Sequence, residues 1–157
     1  DGEKEIIFSS YDGKVHAIWL DKTEHGNWPY SINQGSDGFF RLSGEPVVAD
    51  LNNDGSAEVI VASWTEKGSN AVGKLHILDS DGSMLFETEL PAALTSANWN
   101  GALAAPTLAN VDDDADLEVI LNTVYSGIVV YDLPGTENAN VLWGTGRGNY
   151  SRNGYQQ

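Results

Sequence analysis

The sequence contains no cysteine, which excludes disulfide bonds and thiolate metal sites. Stability must therefore come from packing or from hard cations bound through oxygen. Basic residues are scarce as well, since 8 Lys and Arg stand against 23 Asp and Glu, for a net charge of −15. A nucleic-acid backbone is bound by clustered Lys and Arg. We therefore expect neither nucleic acid nor an anionic membrane surface as a partner.

Long hydrophobic runs are absent too. No apolar stretch approaches the roughly 20 residues of a membrane helix, and the first residues lack the basic and apolar stretches of a signal peptide. We expect no membrane insertion, and we expect any export signal to lie outside this sequence. Apolar residues at helical spacing are not sustained over three turns, which predicts almost no helix. A chain of 157 residues is long enough for the core of one domain and short for two.

One block of sequence occurs twice. Residues 46–61 read PVVADLNNDGSAEVIV and residues 106–121 read PTLANVDDDADLEVIL, so that Asn110 follows Asp50 by 60 positions. The opening residues, DGEKEIIF, match the block from Asp54 to Val61, which predicts a third, incomplete copy. We divide a single domain into repeats at about 1–45, with its first loop truncated, 46–105 and 106–157.

Each block is followed by the same series of β-rich segments. The first segments, which come directly after the loop, are Ile6 to Ser9, Val59 to Ala62 and Val119 to Asn122. A turn with a glycine (Gly13, Gly73 or Gly127), a second run and a third run follow. Repeats of roughly 40 to 50 residues with four strands are typical of propeller blades, whereas a β-sandwich would not explain the repeated block. We predict an all-β fold of about three four-stranded antiparallel blades, a portion of a larger β-propeller.

The acidic segment of the block has the spacing of a calcium loop. Counted from Asp50, oxygen-bearing side chains fall at positions 1, 3, 5 and 9, and position 7 offers a backbone carbonyl. Alternate residues of a tight loop point inward, and Ca²⁺ takes about six to eight hard oxygen ligands. The predicted metal ligands are Asp50, Asn52, Asp54, Ser56 and Glu58 in the first complete loop, and Asn110, Asp112, Asp114, Asp116 and Glu118 in the second.

Two other interpretations, an EF-hand and a solvated acidic turn, fit these loops less well. An EF-hand needs a Glu at position 12 and a following helix, but that position is Val61 or Leu121 inside a predicted strand. A solvated acidic turn fits one isolated loop better than two loops in one repeat frame. Ala115 stands where a glycine with positive φ is expected, which predicts a looser site or a different turn. The incomplete copy offers a partial metal loop of Asp1, Glu3 and Glu5.

The pattern Asp-x-Asn-x-Asp-Gly-x-x-Glu-Val-Ile-Val between two strands resembles the FG-GAP and VCBS repeats of bacterial surface proteins and the integrin α-subunit propeller. The resemblance covers nearly the whole chain, and residues 143–155 resemble the tail that ends such domains in exported bacterial proteins. It implies one Ca²⁺ for each complete loop, held between two strands of a blade. It also implies a secreted or cell-surface location, where millimolar calcium would fill even weak sites of this class.

The sequence shows no nucleophile with a matched base, no phosphate-binding glycine loop and no zinc ligand set. We therefore predict a non-catalytic, calcium-stabilised extracellular module for binding, adhesion or surface assembly. Its expected partner is a protein or polysaccharide at the cell surface, or further copies or blades of the same assembly. The loop aromatics Trp99, Phe39 and Phe40 are candidate ligand-binding residues, although such residues also cap cores.

Two alternatives from other classes stay open. The chain could be the propeller part of a polysaccharide-active, lyase-like enzyme, for which Arg147 and Arg152 form one of the few basic groupings. It could also be a filament or shell subunit, because three blades do not close a ring and open edge strands pair with other chains.

Overall fold

The computed structural model describes residues 4–33, 41–65, 71–94, 99–124 and 126–154. These ranges contain strands and no helix, as the lack of helical spacing predicts, and hence no helix with the length and apolarity to cross a membrane. The strands are β1 (Glu5–Ser9), β2 (Lys14–Trp19), β3 (Tyr30–Ser31), β4 (Arg41–Ser43), β5 (Val47–Asp50), β6 (Glu58–Thr65), β7 (Lys74–Leu78), β8 (Met84–Glu89), β9 (Asn100–Gly101), β10 (Thr107–Ala109), β11 (Leu117–Asn122), β12 (Ile128–Leu133) and β13 (Asn140–Trp143).

The strands form three antiparallel sheets, none of which closes into a barrel. The first sheet has the order β1-β2-β3 and the third has the order β10-β11-β12. The middle sheet has seven strands, in the order β13-β5-β6-β7-β8, with β4 and β9 also paired to β6. The all-β antiparallel class is confirmed, whereas the arrangement of these sheets as propeller blades stays a prediction.

The burial of both faces of strand β6 accounts for a continuous apolar run in the sequence. Val59 and Val61 belong to a core cluster with Val15 of the first sheet. Ile60 belongs to a second cluster with Val119 of the third sheet. Because successive side chains of a strand point to opposite faces, β6 is buried on both faces of the middle sheet.

Strand β13 lies in a different sheet from the one that its repeat predicts. By analogy with β8, which pairs with β7, it should lie beside β12, but it pairs with β5, with Asn140 opposite Asp50. The carbonyl of Gly144 then accepts a 2.8 Å hydrogen bond from the amide of Leu108 in β10. The segment thereby satisfies backbone groups at the edges of two sheets. The third sheet consequently has three described strands instead of the predicted four.

Candidate metal centre

The two predicted calcium loops each connect neighbouring antiparallel strands. The Asp50 loop (residues 50–58) joins β5 to β6, and the Asn110 loop (residues 110–118) joins β10 to β11. Glu58 and Glu118 lie in the strands after the loops and are only 3% and 2% exposed. Their positions are fixed by pairing with Ala49 and Ala109. Each loop therefore has one rigid, buried carboxylate at position 9.

Both loops are organised by the same hydrogen bonds from backbone amides to side chains. The Oε2 atom of Glu58 accepts from the amide of Leu51 at 2.7 Å, and that of Glu118 accepts from the amide of Val111 at 2.7 Å. At positions 3 and 5 of both loops, the side chain accepts from the amide two residues ahead, at distances of 2.8 to 3.0 Å. The oxygen-bearing side chains at these positions therefore turn toward the loop backbone, as the spacing predicts.

Position 1 distinguishes the two loops. The Oδ1 and Oδ2 atoms of Asp50 accept from the amides of Asp54 at 3.0 Å and Gly55 at 2.9 Å. Asn110 instead donates from Nδ2 to the carbonyl of Asp114 at 2.6 Å. In the Asp50 loop, both oxygens of the first carboxylate are thus engaged by the loop backbone.

The backbones of the loops differ as well. Asn53 and Gly55 have φ angles of 56° and 92°, in the left-handed region that residues with a Cβ atom rarely adopt. Neither Asp113 nor Ala115 has a positive φ. The Asn110 loop therefore uses a different turn, and this turn accommodates Ala115 without left-handed strain.

Three carboxylates converge in the Asn110 loop. The ligand atoms of Asp112, Asp114 and Glu118 lie within 4.8 Å of one another. Two ligands of one Ca²⁺, each at roughly 2.4 Å, can be no more than ~5 Å apart, so one ion could bind all three. The Oε1 atom of Glu118 is buried and has no hydrogen-bond partner in the described part of the chain. Because a buried carboxylate oxygen without a partner is costly, these residues fit a bound cation.

A residue outside both loops belongs to a second group of acids, which shares Asp114 with the first. Asp132 of β12 lies opposite Glu118 in the strand ladder, and its carboxylate lies within 4.8 Å of those of Asp114 and Asp116. Desolvation, followed by the negative charges of Asp114, Asp116 and Asp112, raises the pKa of Asp132. The loop motif does not contain Asp132. The register of β11 against β12 is the signal that could have found it.

The acids of the Asp50 loop are arranged differently. Within the described ranges, Asp50, Asp54 and Glu58 do not form a group of converging ligand atoms. Burial raises the pKa of Glu58, the hydrogen bond from Leu51 opposes this shift, and the charges of Asp54, Asp50 and Asp79 add to it. This loop would have to rearrange in order to surround a cation.

Most of the incomplete first loop lies outside the described residues. Asp1 and Glu3 are not among the described residues. Glu5 is the exposed first residue of β1 and lies opposite Trp19. The predicted partial loop therefore stays a prediction.

Of the three candidate ligand-binding aromatics, Phe39 and Phe40 also lie outside the described residues. Trp99 is half-buried, and its ring centroid lies 5.2 Å from that of Trp64 in β6. Trp99 thus packs against the middle sheet, and its role in ligand binding stays a prediction.

Arg147 and Arg152, the basic pair on which the enzyme alternative depends, line a cavity of about 380 Å³. Its lining residues are Glu45, Ala104, Ala105, Thr145, Gly146, Arg147 and Arg152. The Oε1 atom of Glu45 accepts a 3.1 Å hydrogen bond from the amide of Arg147. No aromatic residue is among the lining residues, so the described cavity does not combine Arg with loop aromatics as a polysaccharide site would.

A second polar group lies inside the middle sheet. The Nε2 atom of His76 lies 3.1 Å from Oγ of Ser63, and its Nδ1 atom lies 3.2 Å from Oε2 of Glu87. This order of hydroxyl, imidazole and carboxylate is that of a catalytic triad, and no motif in the sequence predicts it. Ser63 is fully buried, and its Oγ atom also accepts a 2.9 Å hydrogen bond from the amide of Lys74. Because a substrate cannot reach this serine, Ser63, His76 and Glu87 form a buried structural network.

Comparisons with protein-family models, with curated proteins and with solved structures gave no match. The resemblance described above therefore stays a prediction. The case for a metal centre depends on the geometry of the Asn110 loop.

Proposed function

We propose that this protein is a non-catalytic, calcium-stabilised module that serves in binding, adhesion or surface assembly outside the cell. The observation that carries the proposal is the buried Oε1 atom of Glu118, which has no partner among the described residues, in a side chain that converges with those of Asp112 and Asp114. A cation is the simplest group that satisfies this oxygen and relieves the repulsion among the three carboxylates.

The chemistry of the ligands favours calcium over other cations. The donors in the cluster are carboxylate oxygens, and hard oxygen donors suit Ca²⁺ and Mg²⁺ rather than Zn²⁺ or Cu²⁺. Two of the three carboxylates, those of Asp112 and Asp114, are exposed and lie in a loop. Mg²⁺ demands near-ideal octahedral geometry, whereas Ca²⁺ accepts irregular and flexible coordination. The site therefore favours Ca²⁺.

Bound calcium would stabilise the third sheet because it would tie the loop between β10 and β11 to the second of these strands. Asp112 and Asp114 lie in the loop after β10, and Glu118 lies in β11. An ion that binds these residues only in the folded state raises the free energy of unfolding by RT ln(1 + [L]/Kd). It also neutralises part of a net charge of −15, which otherwise opposes compaction.

The test is thermal unfolding of the whole chain in Ca²⁺, in Mg²⁺ and in chelator. At a calcium concentration of 100 times Kd we expect a stabilisation of about 2.7 kcal/mol for one site, or a rise in Tm of roughly 5 to 10 °C for a domain of this size. Mg²⁺ should have a much smaller effect. Equal unfolding temperatures in Ca²⁺ and in chelator would refute the proposal.

Exposed apolar strands favour the assembly form of this function. Three consecutive residues of β8, Met84, Leu85 and Phe86, are each at least half exposed, and Ile128 and Val130 of β12 are exposed as well. Apolar surface on outer strands is typical of contact with another sheet or another chain. We expect self-association in analytical ultracentrifugation that Phe86→Lys weakens. A monomer at all concentrations would exclude self-assembly through β8 and leave binding to a different partner.

A further inference from the structure

We propose that Asp132, which lies outside the loop motif, is a ligand of the cation bound by the Asn110 loop, so that the ion ties β12 to the loop between β10 and β11. This inference rests on the proposed calcium function and adds a ligand that the spacing of the loop does not predict.

The strand ladder brings Asp132 to the metal cluster. Asp132 lies opposite Glu118 in the antiparallel pair of β11 and β12. Residues opposite each other lie on the same face of the sheet, with Cβ atoms roughly 4.5 to 5.5 Å apart. Asp132 is therefore the immediate neighbour of the carboxylate whose Oε1 atom is buried without a partner among the described residues.

Asp114 links Asp132 to the predicted ligands of the Asn110 loop, because Asp114 belongs to both groups of convergent acids. Asp114 is grouped with Asp112 and Glu118 and also with Asp116 and Asp132, and within each group the ligand atoms lie within 4.8 Å of one another. A cation bound to Asp114 therefore lies within reach of the Asp132 carboxylate through a small adjustment of this exposed side chain.

Asp116 has a separate role in this arrangement. Its Oδ1 atom accepts hydrogen bonds from the amides of Gly135 at 3.1 Å and Thr136 at 2.8 Å. These bonds hold the turn after β12 against the Asn110 loop, and the backbone carbonyl of Asp116 stays the predicted ligand at position 7. Asp116 therefore positions β12, and Asp132 supplies the carboxylate from that strand.

The corresponding acid beside the Asp50 loop is engaged elsewhere. Val59 pairs with Leu78, so the next pair of the ladder places Asp79 beside Glu58. The Oδ1 atom of Asp79 accepts from the amide of Ser80 at 2.6 Å and from its hydroxyl at 3.1 Å. Asp79 thus caps its own turn. The cross-strand ligand is accordingly a feature of the Asn110 loop.

The experiment isolates the Asn110 loop in the full chain. Asp54→Ala first removes calcium binding by the Asp50 loop, and calcium binding to this background is then measured by isothermal titration calorimetry at neutral pH. Asp132→Asn, which keeps the shape of the side chain and removes its charge, should weaken binding on the order of tenfold, because affinity follows the number of charged ligands. Asp132→Glu, which keeps the carboxylate, should recover part of the affinity.

Glu137→Gln is the matched control, because it removes an exposed carboxylate from the turn after β12. It should leave calcium affinity within about twofold of the background. Equal affinity for Asp132→Asn and the background would overturn the inference while leaving the calcium function intact. Equal weakening by Asp132→Asn and Glu137→Gln would also overturn it, because the loss of one negative charge anywhere near the loop would then explain the lower affinity. No calcium binding to the unsubstituted chain would overturn the proposed function itself.

Discussion

Glu118 and Val111 are joined across the Asn110 loop by a 2.7 Å hydrogen bond, in which the amide of Val111 donates to Oε2 of Glu118. The other carboxylate oxygen, Oε1, is buried without a partner in the described part of the chain. The two oxygens of one side chain therefore have separable roles, because Oε2 closes the loop and Oε1 is left for a cation.

Glu118→Gln should separate these roles. The carbonyl oxygen of Gln can still accept the Val111 amide, whereas the NH₂ group replaces the oxygen that would bind the metal. In chelator, we expect stability equal to or slightly above that of the unsubstituted chain, because a buried charge is removed. In calcium, the variant should lack the stabilisation that this loop provides, about 2 to 3 kcal/mol near 100 times Kd. Urea unfolding in both buffers measures this, and an undiminished response to calcium would contradict the assignment.

The two loops should fill at different calcium concentrations. The Asn110 loop already groups three carboxylates, whereas in the described ranges those of Asp50, Asp54 and Glu58 do not converge and must move together before they can share one ion. We expect two phases in a calcium titration, with Asp114→Ala removing the tighter phase and Asp54→Ala the weaker one. The reverse assignment would show that the preformed cluster does not determine affinity.

Local features of this fold could be predicted from the sequence, and long-range pairings could not. The predicted segments Val59 to Ala62 and Val119 to Asn122 lie within β6 and β11, because β-branched residues and turn formers act over a few positions. The pairing of β13 with β5 brings together segments about 90 residues apart, and no local pattern specifies it.

The same limit applies to the sites. The loop motif places Asp112, Asp114 and Glu118 because they are close in sequence. The register of β11 against β12, and not the motif, places Asp132 opposite Glu118. His76 illustrates the point again, because the register of three strands places it opposite Glu87 and diagonally across from Ser63.

His76 should make stability depend on pH. Desolvation lowers its pKa to about 4, and the charge of Glu87 opposes this shift while those of Lys74 and Arg41 add to it. With an unfolded pKa near ~6.5, the unfolded chain binds a proton that the folded chain does not, so stability is complete above that pH and is lost as the pH falls toward 4. We expect a loss of about 2 kcal/mol between pH 7 and pH 5. Urea unfolding in chelator measures it, and an equally steep loss in His76→Gln would assign it to other groups.

Gly73 should be intolerant of even one added methyl group. It occupies a repeat position shared with Gly127, but the two glycines serve different purposes. A Cβ atom on Gly73 would lie 2.1 Å from the carbonyl oxygen of Ser63 and 2.6 Å from Cα of Gly101, so backbone atoms of β6 and β9 would have to move apart. Gly127 has a φ of 82° and open space around it, so a methyl group there meets only conformational strain.

Gly73→Ala should therefore cost more than Gly127→Ala. We expect the strained turn to lose about 1 kcal/mol, and the crowded strand contact to lose about 3 kcal/mol, the upper range for overpacking. Thermal unfolding of both variants in chelator gives the comparison free of any effect of calcium. Because Gly73 lies where β6 meets β7 and β9, Gly73→Ala should also reduce amide-exchange protection in β6. Equal destabilisation by the two substitutions would show that this close approach can relax, and that the packing of the middle sheet is less tightly fixed than these distances imply.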